Sequence, residues 1–108
     1  MKYSKQQIIN IRNNLERYCK PLTEKDIFRY NHSESKEHNK KISDQFIELQ
    51  SEGFCVAIRP ILRNGKQPDL MILSFDKPMI KEVMKTEKDK RFKEKDYMGI
   101  NKIKVKVK

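Results

Sequence analysis

The chain has 108 residues, which is enough for one domain spanning 1–108 with a single small core. It carries 25 Lys and Arg against 15 Asp and Glu, and a formal net charge of +10 favours polyanionic partners such as nucleic acids. The two cysteines stand alone, which argues against a zinc site, and no apolar run has the length of a signal segment or a membrane span. We therefore expect a reducing, cytoplasmic setting and no membrane partner.

The first part of the chain, residues 1–31, is predicted to be a helical extension. Apolar side chains recur at helical spacing over 5–19, with Asn14 on the opposite, polar side. Pro21 ends this helix. Thr23 is then typical of the N-cap of a short second helix.

The remainder of the chain, residues 33–108, is predicted to form the core. It opens with the longest helix, at about 34–52, for which Ser33 is the expected N-cap and Gly53 the C-terminal stop. A strand follows at 54–60, and its first five residues, 54–58, are continuously apolar, as expected for a strand that is buried on both faces.

Three more strands complete the predicted sheet. An Asn-Gly pair at 64–65 favours a hairpin into a buried strand at 67–73, and a third strand is expected at 79–85. The charged stretch at 86–97 is predicted to be a surface helix, and the alternating tail near 102–107 a strand with one lysine-bearing face. We therefore predict an α/β fold with the order α-β-β-β-α-β and a four-stranded mixed sheet.

Two acids stand on neighbouring predicted strands. Asp69 follows Pro68 at the start of one buried strand, and Glu82 lies inside the next strand. Carboxylates on adjacent strands can share a divalent cation, and in a basic chain the obvious target of that cation is a phosphodiester. We expect these two side chains to face each other across the strands and to hold one cation.

This pattern resembles the PD-(D/E)XK nuclease superfamily, also called the restriction-endonuclease-like fold, over about residues 33–108. The resemblance rests on the element order, on Pro-Asp at the second strand and on a glutamate inside the third. It implies an endonuclease that depends on Mg²⁺ (or Mn²⁺) and hydrolyses DNA phosphodiester bonds, with Asp69 as the first motif acid and Glu82 as the second. In that family, a lysine two residues beyond the second acid helps to activate the attacking water.

The chain departs from that motif because the lysine position is occupied by Met84. Lys85 is a candidate replacement if a bulge turns the end of the strand, and Lys40 or Lys41 on the first core helix is another. Two functions therefore stay open: a nuclease, and a catalytically degenerate nuclease-fold protein that binds nucleic acid without cleaving it.

An acid on the first core helix often joins the site in this superfamily, and two candidates are present. Helical spacing favours Glu34, with His38 close to the same site. The similarity of the local sequence to helix openings in nuclease-like families favours Glu37.

The expected nucleic-acid contacts come from basic side chains in the N-terminal half. The candidates are Arg12, Arg17, Lys40 and Lys41, with Lys20 and Arg29. The aromatic residues do not cluster, so stacking on single strands is not indicated. A small interaction module built on the N-terminal helices is a third function, and a homodimer is expected if the protein cuts both strands.

Overall fold

The computed structural model describes residues 2–84 and 89–106. Over these ranges, helices pack on both faces of a four-stranded sheet. In chain order the elements are α1 (Lys5–Tyr18), α2 (Lys36–Ser51), β1 (Val56–Ile58), β2 (Leu70–Ile72), β3 (Met79–Met84), α3 (Asp89–Glu94) and β4 (Asn101–Lys106).

The sheet has the order β1-β2-β3-β4. The first three strands are antiparallel neighbours, and β4 lies parallel to β3, with Met79 opposite Asn101. A parallel neighbour requires a crossover, and this crossover contains α3. The predicted α/β fold is thereby confirmed: three strands that follow one another in sequence are antiparallel neighbours, and a fourth, parallel strand makes the sheet mixed.

Each face of the sheet is covered by one long helix. Ile11 of α1 belongs to one core cluster, and Ile42 of α2 belongs to the other. Successive strand residues alternate between the clusters, as Leu70 and Met71 do, because side chains in a strand point to opposite faces. We refer to these sides of the sheet as the α1 face and the α2 face.

The predicted second helix, starting at Thr23, is wrong. Residues 20–31 run as a loop along the edge of the sheet. The backbone N–H of Asp26 donates to the carbonyl of Val56 at 2.7 Å, and Asp26 has a left-handed φ of +60°. The loop backbone is therefore bonded to β1 and not to a helical turn of its own.

The polar side predicted for α1 is also wrong at one position. Asn14 is buried, and its Nδ2 donates to the carbonyls of Leu73 at 2.9 Å and Phe75 at 2.8 Å. Asn10 donates in the same way to the carbonyl of Ser74 at 3.1 Å. Buried carbonyls need donors, so these two amides attach α1 to the segment that follows β2.

The connection between β1 and β2 is longer than a hairpin. Gly65 has a φ of +86°, as the predicted turn requires. However, β1 ends at Ile58 and β2 begins at Leu70, so both strands are shorter than predicted. Within this connection, Leu62 forms an isolated bridge with Cys19 at the end of α1. Among the described residues, no helix has both the length and the apolar character needed to cross a membrane.

Candidate active site

Asp69 and Glu82 lie opposite each other at the start of β2 and within β3, and each carboxylate accepts a hydrogen bond from the backbone of the neighbouring strand. The strand register pairs Leu70 with Lys81, so one step further it sets Asp69 opposite Glu82. The backbone N–H of Asp69 donates to Glu82 Oε1 at 3.0 Å, and the backbone N–H of Val83 donates to Asp69 Oδ2 at 2.8 Å. Each carboxylate is therefore oriented by the backbone of the other strand.

A histidine and a second acid meet Asp69 from the start of α2. Nε2 of His38 lies 2.6 Å from Glu34 Oε2 and 3.4 Å from Asp69 Oδ1. One ligand atom from each of the three residues lies within 4.8 Å of the others. The three side chains are 16–25% exposed, so the group is partly sheltered but open to solvent.

The turn before α2 presents Glu34 to this group. Ser35 is the N-cap of α2, where Ser33 was predicted, and its hydroxyl accepts from the backbone N–H of His38 at 3.1 Å. Ser33 instead donates its backbone N–H to the side chain of Asn31, which forms a local turn. Asn39, which is buried, donates to the carbonyls of three residues in this turn: Asn31, Glu34 and Ser35.

Arg59 fixes the other oxygen of Glu34. Its Nε donates to Glu34 Oε1 at 3.0 Å, and its Nη2 donates to Asn39 Oδ1 at 3.2 Å. The backbone N–H of Arg59 also donates to the carbonyl of Asp69 at 2.8 Å. Arg59 was not among the predicted site residues. The one feature of the sequence that could have indicated it is its charge at a position between a buried strand and Pro60.

A lysine lies beside Glu82, although it was not one of the predicted lysines. Nζ of Lys95, just after α3, is 3.0 Å from Glu82 Oε2, and the Glu82 side chain is only 7% exposed. Met84 is 5% exposed, so a lysine at that position would have to bury its ammonium. Lys85 lies outside the described residues. Spacing along the chain does not indicate Lys95, because the crossover alone brings it back to β3.

The two acids have different side-chain partners: Asp69 contacts His38, and Glu82 contacts Lys95. Ile80 packs in the α1-face cluster and Val83 in the α2-face cluster, so alternation directs Glu82 to the α1 face. Asp69 precedes β2, and its Oδ1 reaches His38 on α2. The three-residue group contains Asp69 and not Glu82. The sharing of one cation by Asp69 and Glu82 remains a prediction.

The environment of Asp69 disfavours its charge. Burial is the largest cause and the negative charge of Glu82 the second, and together they raise the pKa of the Asp69 carboxyl. The hydrogen bond from Val83 and the neighbouring His38 act in the opposite direction but do not outweigh them. A carboxylate in this position gains from a nearby cation.

The donor set fits a divalent cation. Atoms bound to one ion at about 2.1 Å lie roughly 3–3.5 Å apart, so the three ligand atoms need only small shifts. Beside an ionised carboxylate, Nε2 of His38 can act only as a donor, whereas a metal would bind the tautomer whose Nε2 carries no hydrogen. Two oxygens and one imidazole nitrogen suit Mn²⁺ better than Mg²⁺, which prefers oxygen alone.

The other predicted residues lie apart from this group. Glu37 is exposed in the first turn of α2. Lys40 is exposed and pairs with Asp44 at 3.3 Å. Arg12 and Arg17 are exposed on α1, whereas Lys40 and Lys41 belong to α2, so the predicted basic residues are divided between helices on opposite faces of the sheet.

No family model, curated protein or solved structure matches this chain. The resemblance to the PD-(D/E)XK superfamily therefore rests on the motif residues and the element order.

Proposed function

We propose that this protein is a metal-dependent nuclease of the PD-(D/E)XK type that hydrolyses DNA phosphodiester bonds. The observation that carries the proposal is the convergence of Glu34, His38, Asp69, Glu82 and Lys95 from four separate parts of the chain into one chain of contacts. The order α-β-β-β-α-β supports the finer assignment to the restriction-endonuclease-like fold.

In this proposal, Glu34, His38 and Asp69 hold the cation. When bound, a divalent cation polarises the phosphate and lowers the pKa of a water molecule. The protein's own contribution is orientation: Val83 directs one oxygen of Asp69, and Arg59 directs one oxygen of Glu34. The remaining oxygen of each acid is left pointing towards His38.

Lys95 supplies the cationic group that the motif lacks at Met84. Its ammonium is held by Glu82, which is itself fixed by the backbone of Asp69. A positive charge next to the reacting phosphate stabilises the negative charge that develops during hydrolysis. Glu82 therefore acts as the positioning residue for this lysine, as well as bracing β2.

A cleavage assay tests the proposal. Supercoiled plasmid and end-labelled oligonucleotides are incubated with the protein in EDTA, Mg²⁺ or Mn²⁺. We expect cleavage in metal only, more in Mn²⁺ than in Mg²⁺, and none by Asp69→Asn. Asp76→Asn, which changes an exposed aspartate in the loop before β3, is the matched control and should cut like wild type.

Binding without cleavage is the second candidate function. The burial of Met84 favours it, because the motif lysine position has become part of the core. In that case the protein would bind DNA with a steep salt dependence and cut neither DNA nor RNA in either metal. This result would replace the nuclease proposal with the binding-only one.

A further inference from the structure

A cavity of about 450 Å³ adjoins the candidate active site. It opens between the 21–32 loop and the segment that follows β1, and Asn31 and Arg59 are part of its lining. These two residues also donate to Glu34 Oε1, so the cavity and the acid-histidine group share a wall. The volume is in the usual range for small-ligand pockets.

Exposed apolar side chains are concentrated around this cavity. Seven large hydrophobic side chains are exposed among the described residues, and four of them line it: Leu22, Ile27, Tyr30 and Ile61. Leu22 is 98% exposed, so its side chain has almost no contact with the rest of the protein. A group of exposed apolar side chains at one cavity marks a binding surface more often than a chance arrangement does.

The backbone at the cavity is also unusual. Leu22 and Arg59, on opposite walls, have φ values of +71° and +47°. Side-chain-bearing residues adopt this left-handed conformation at a cost, and such residues are frequent at binding sites.

We infer that the cavity binds one unstacked nucleobase of the substrate, next to the phosphate that is cleaved; this inference rests on the proposed function. The Tyr30 ring and the aliphatic side chains offer an apolar surface for a flat base. Gln67 donates one N–H to the carbonyl of Arg59, and its amide has a second N–H and an acceptor oxygen of the kind that pairs with base edges. The shared wall at Arg59 brings a nucleotide seated here within reach of Glu34 and His38.

The substrate class follows from this arrangement. A base can enter the cavity only after it has left its stack, and unstacking costs least where nucleotides are already unpaired. The protein should therefore prefer DNA with flaps, bulges or single-stranded ends over uninterrupted duplex. The sequence pattern did not indicate stacking, because Tyr30, Leu22 and Ile61 come to the same cavity only in the folded chain.

Fluorescence anisotropy in EDTA tests the inference without requiring cleavage. Three labelled DNAs of one sequence are compared: a full duplex, a duplex with a three-nucleotide flap, and the same flap with abasic sites. We expect the flap to bind about tenfold more tightly than the duplex, in line with the contribution of one stacked base, and the abasic flap to lose this advantage.

Matched isoleucine variants locate the effect. Ile61→Asp places a charge in the cavity wall, whereas Ile47→Asp places the same charge on an exposed position of α2 that does not line the cavity. The first should remove the preference for the flap, and the second should keep it. Thermal unfolding of both variants checks that they remain folded.

The outcomes separate the two proposals. Salt-sensitive DNA binding that is equal for the normal and the abasic flap overturns the base-binding inference and leaves the nuclease proposal standing. A flap preference that survives Ile61→Asp also overturns the inference, because the unpaired base is then bound outside this cavity. Absence of binding to every DNA overturns both proposals.

Discussion

Asp26 and Asp69 are two partly buried carboxylates whose pKa values are shifted in opposite directions by their surroundings. Asp26 accepts from the Tyr3 hydroxyl at 2.6 Å, from the backbone N–H of Val56 at 3.1 Å and from the Gln50 amide. Burial raises its pKa, but these hydrogen bonds outweigh burial, and the pKa of Asp26 lies below its ordinary value. The pKa of Asp69 is raised, because burial and Glu82 outweigh its donors.

The difference shows which carboxylate serves the fold and which is available for a ligand. Donors from three parts of the chain converge on Asp26, so its charge links the segment before α1 with α2 and β1. Asp69 has another acid opposite it and a histidine beside it, so its charge is only partly compensated. Groups whose charge is costly in the free protein are frequent at functional sites.

The largest effect in the candidate active site is expected from Lys95→Met. Removing one stabilising cation at the reacting phosphate should lower kcat by about 10²–10³-fold, with Mn²⁺ affinity unchanged. The measurement is single-turnover cleavage of a labelled flap DNA. Lys93→Met, at an exposed position of α3, is the control and should cut normally. Equal cleavage rates for the two variants would exclude a role of Lys95 in cleavage.

Metal selectivity should change with His38→Gln. Loss of the imidazole nitrogen should weaken Mn²⁺ binding by about 10–100-fold, while Mg²⁺ binding changes less because Mg²⁺ prefers oxygen. Isothermal titration calorimetry measures both affinities, and His32→Gln, at an exposed histidine outside the three-residue group, serves as the control. An unchanged Mn²⁺ affinity would exclude His38 as a ligand.

Because the pKa of Asp26 is lowered and that of Asp69 is raised, we expect substitution of each aspartate by asparagine to change the stability of the protein in opposite directions. Asp26→Asn replaces a charged acceptor that three donors share, and should cost about 1–3 kcal/mol at pH 7. Asp69→Asn removes a disfavoured charge and should raise the metal-free Tm by a few degrees. Because the pKa of Asp69 is raised in the folded state, the wild-type protein loses stability as the pH rises from the unfolded pKa through the folded pKa. The difference in Tm between Asp69→Asn and wild type should therefore shrink under acidic conditions, where the carboxyl is protonated. Thermal unfolding in EDTA at several pH values measures both variants. Destabilisation by both substitutions at pH 7 would contradict the difference proposed between the charges of Asp26 and Asp69.

The smallest effect is expected from Tyr3→Phe. The loss of one hydrogen bond to Asp26 should cost about 1 kcal/mol at pH 7. Because the folded pKa of Asp26 is depressed, its contribution is present above the unfolded pKa, which is about 3.9, and disappears as pH falls through the folded pKa. The variant should therefore differ from wild type at pH 7 and converge with it below that window. Urea titrations at the two pH values provide the test, and Tyr18→Phe is the control. A difference that persists at low pH would exclude the link to Asp26.

The order of the elements could be predicted because its signals are local. Apolar periodicity marks α1 and α2, and the alternating tail marks β4. Helical spacing favoured Glu34 over Glu37, although α2 begins two residues later than predicted. These signals come from residues that are near each other along the chain.

The remaining features depend on contacts between distant segments. Asn14 is buried because carbonyls after β2 need donors, and Asp26 lies in a loop because its donors belong to other elements. Lys95 reaches Glu82 only through the crossover, and Arg59 reaches Glu34 only after α2 packs beside β1. No periodicity in the sequence encodes such pairs.

We propose that Glu34, His38 and Asp69 hold one divalent cation. The most direct test is a crystal grown with Mn²⁺, with data collected to locate the ion by its anomalous scattering. We expect a single peak within bonding distance of Glu34 Oε2, His38 Nε2 and Asp69 Oδ1, with Lys95 still paired to Glu82. Crystals saturated with Mn²⁺ that show no peak among these three residues would contradict it.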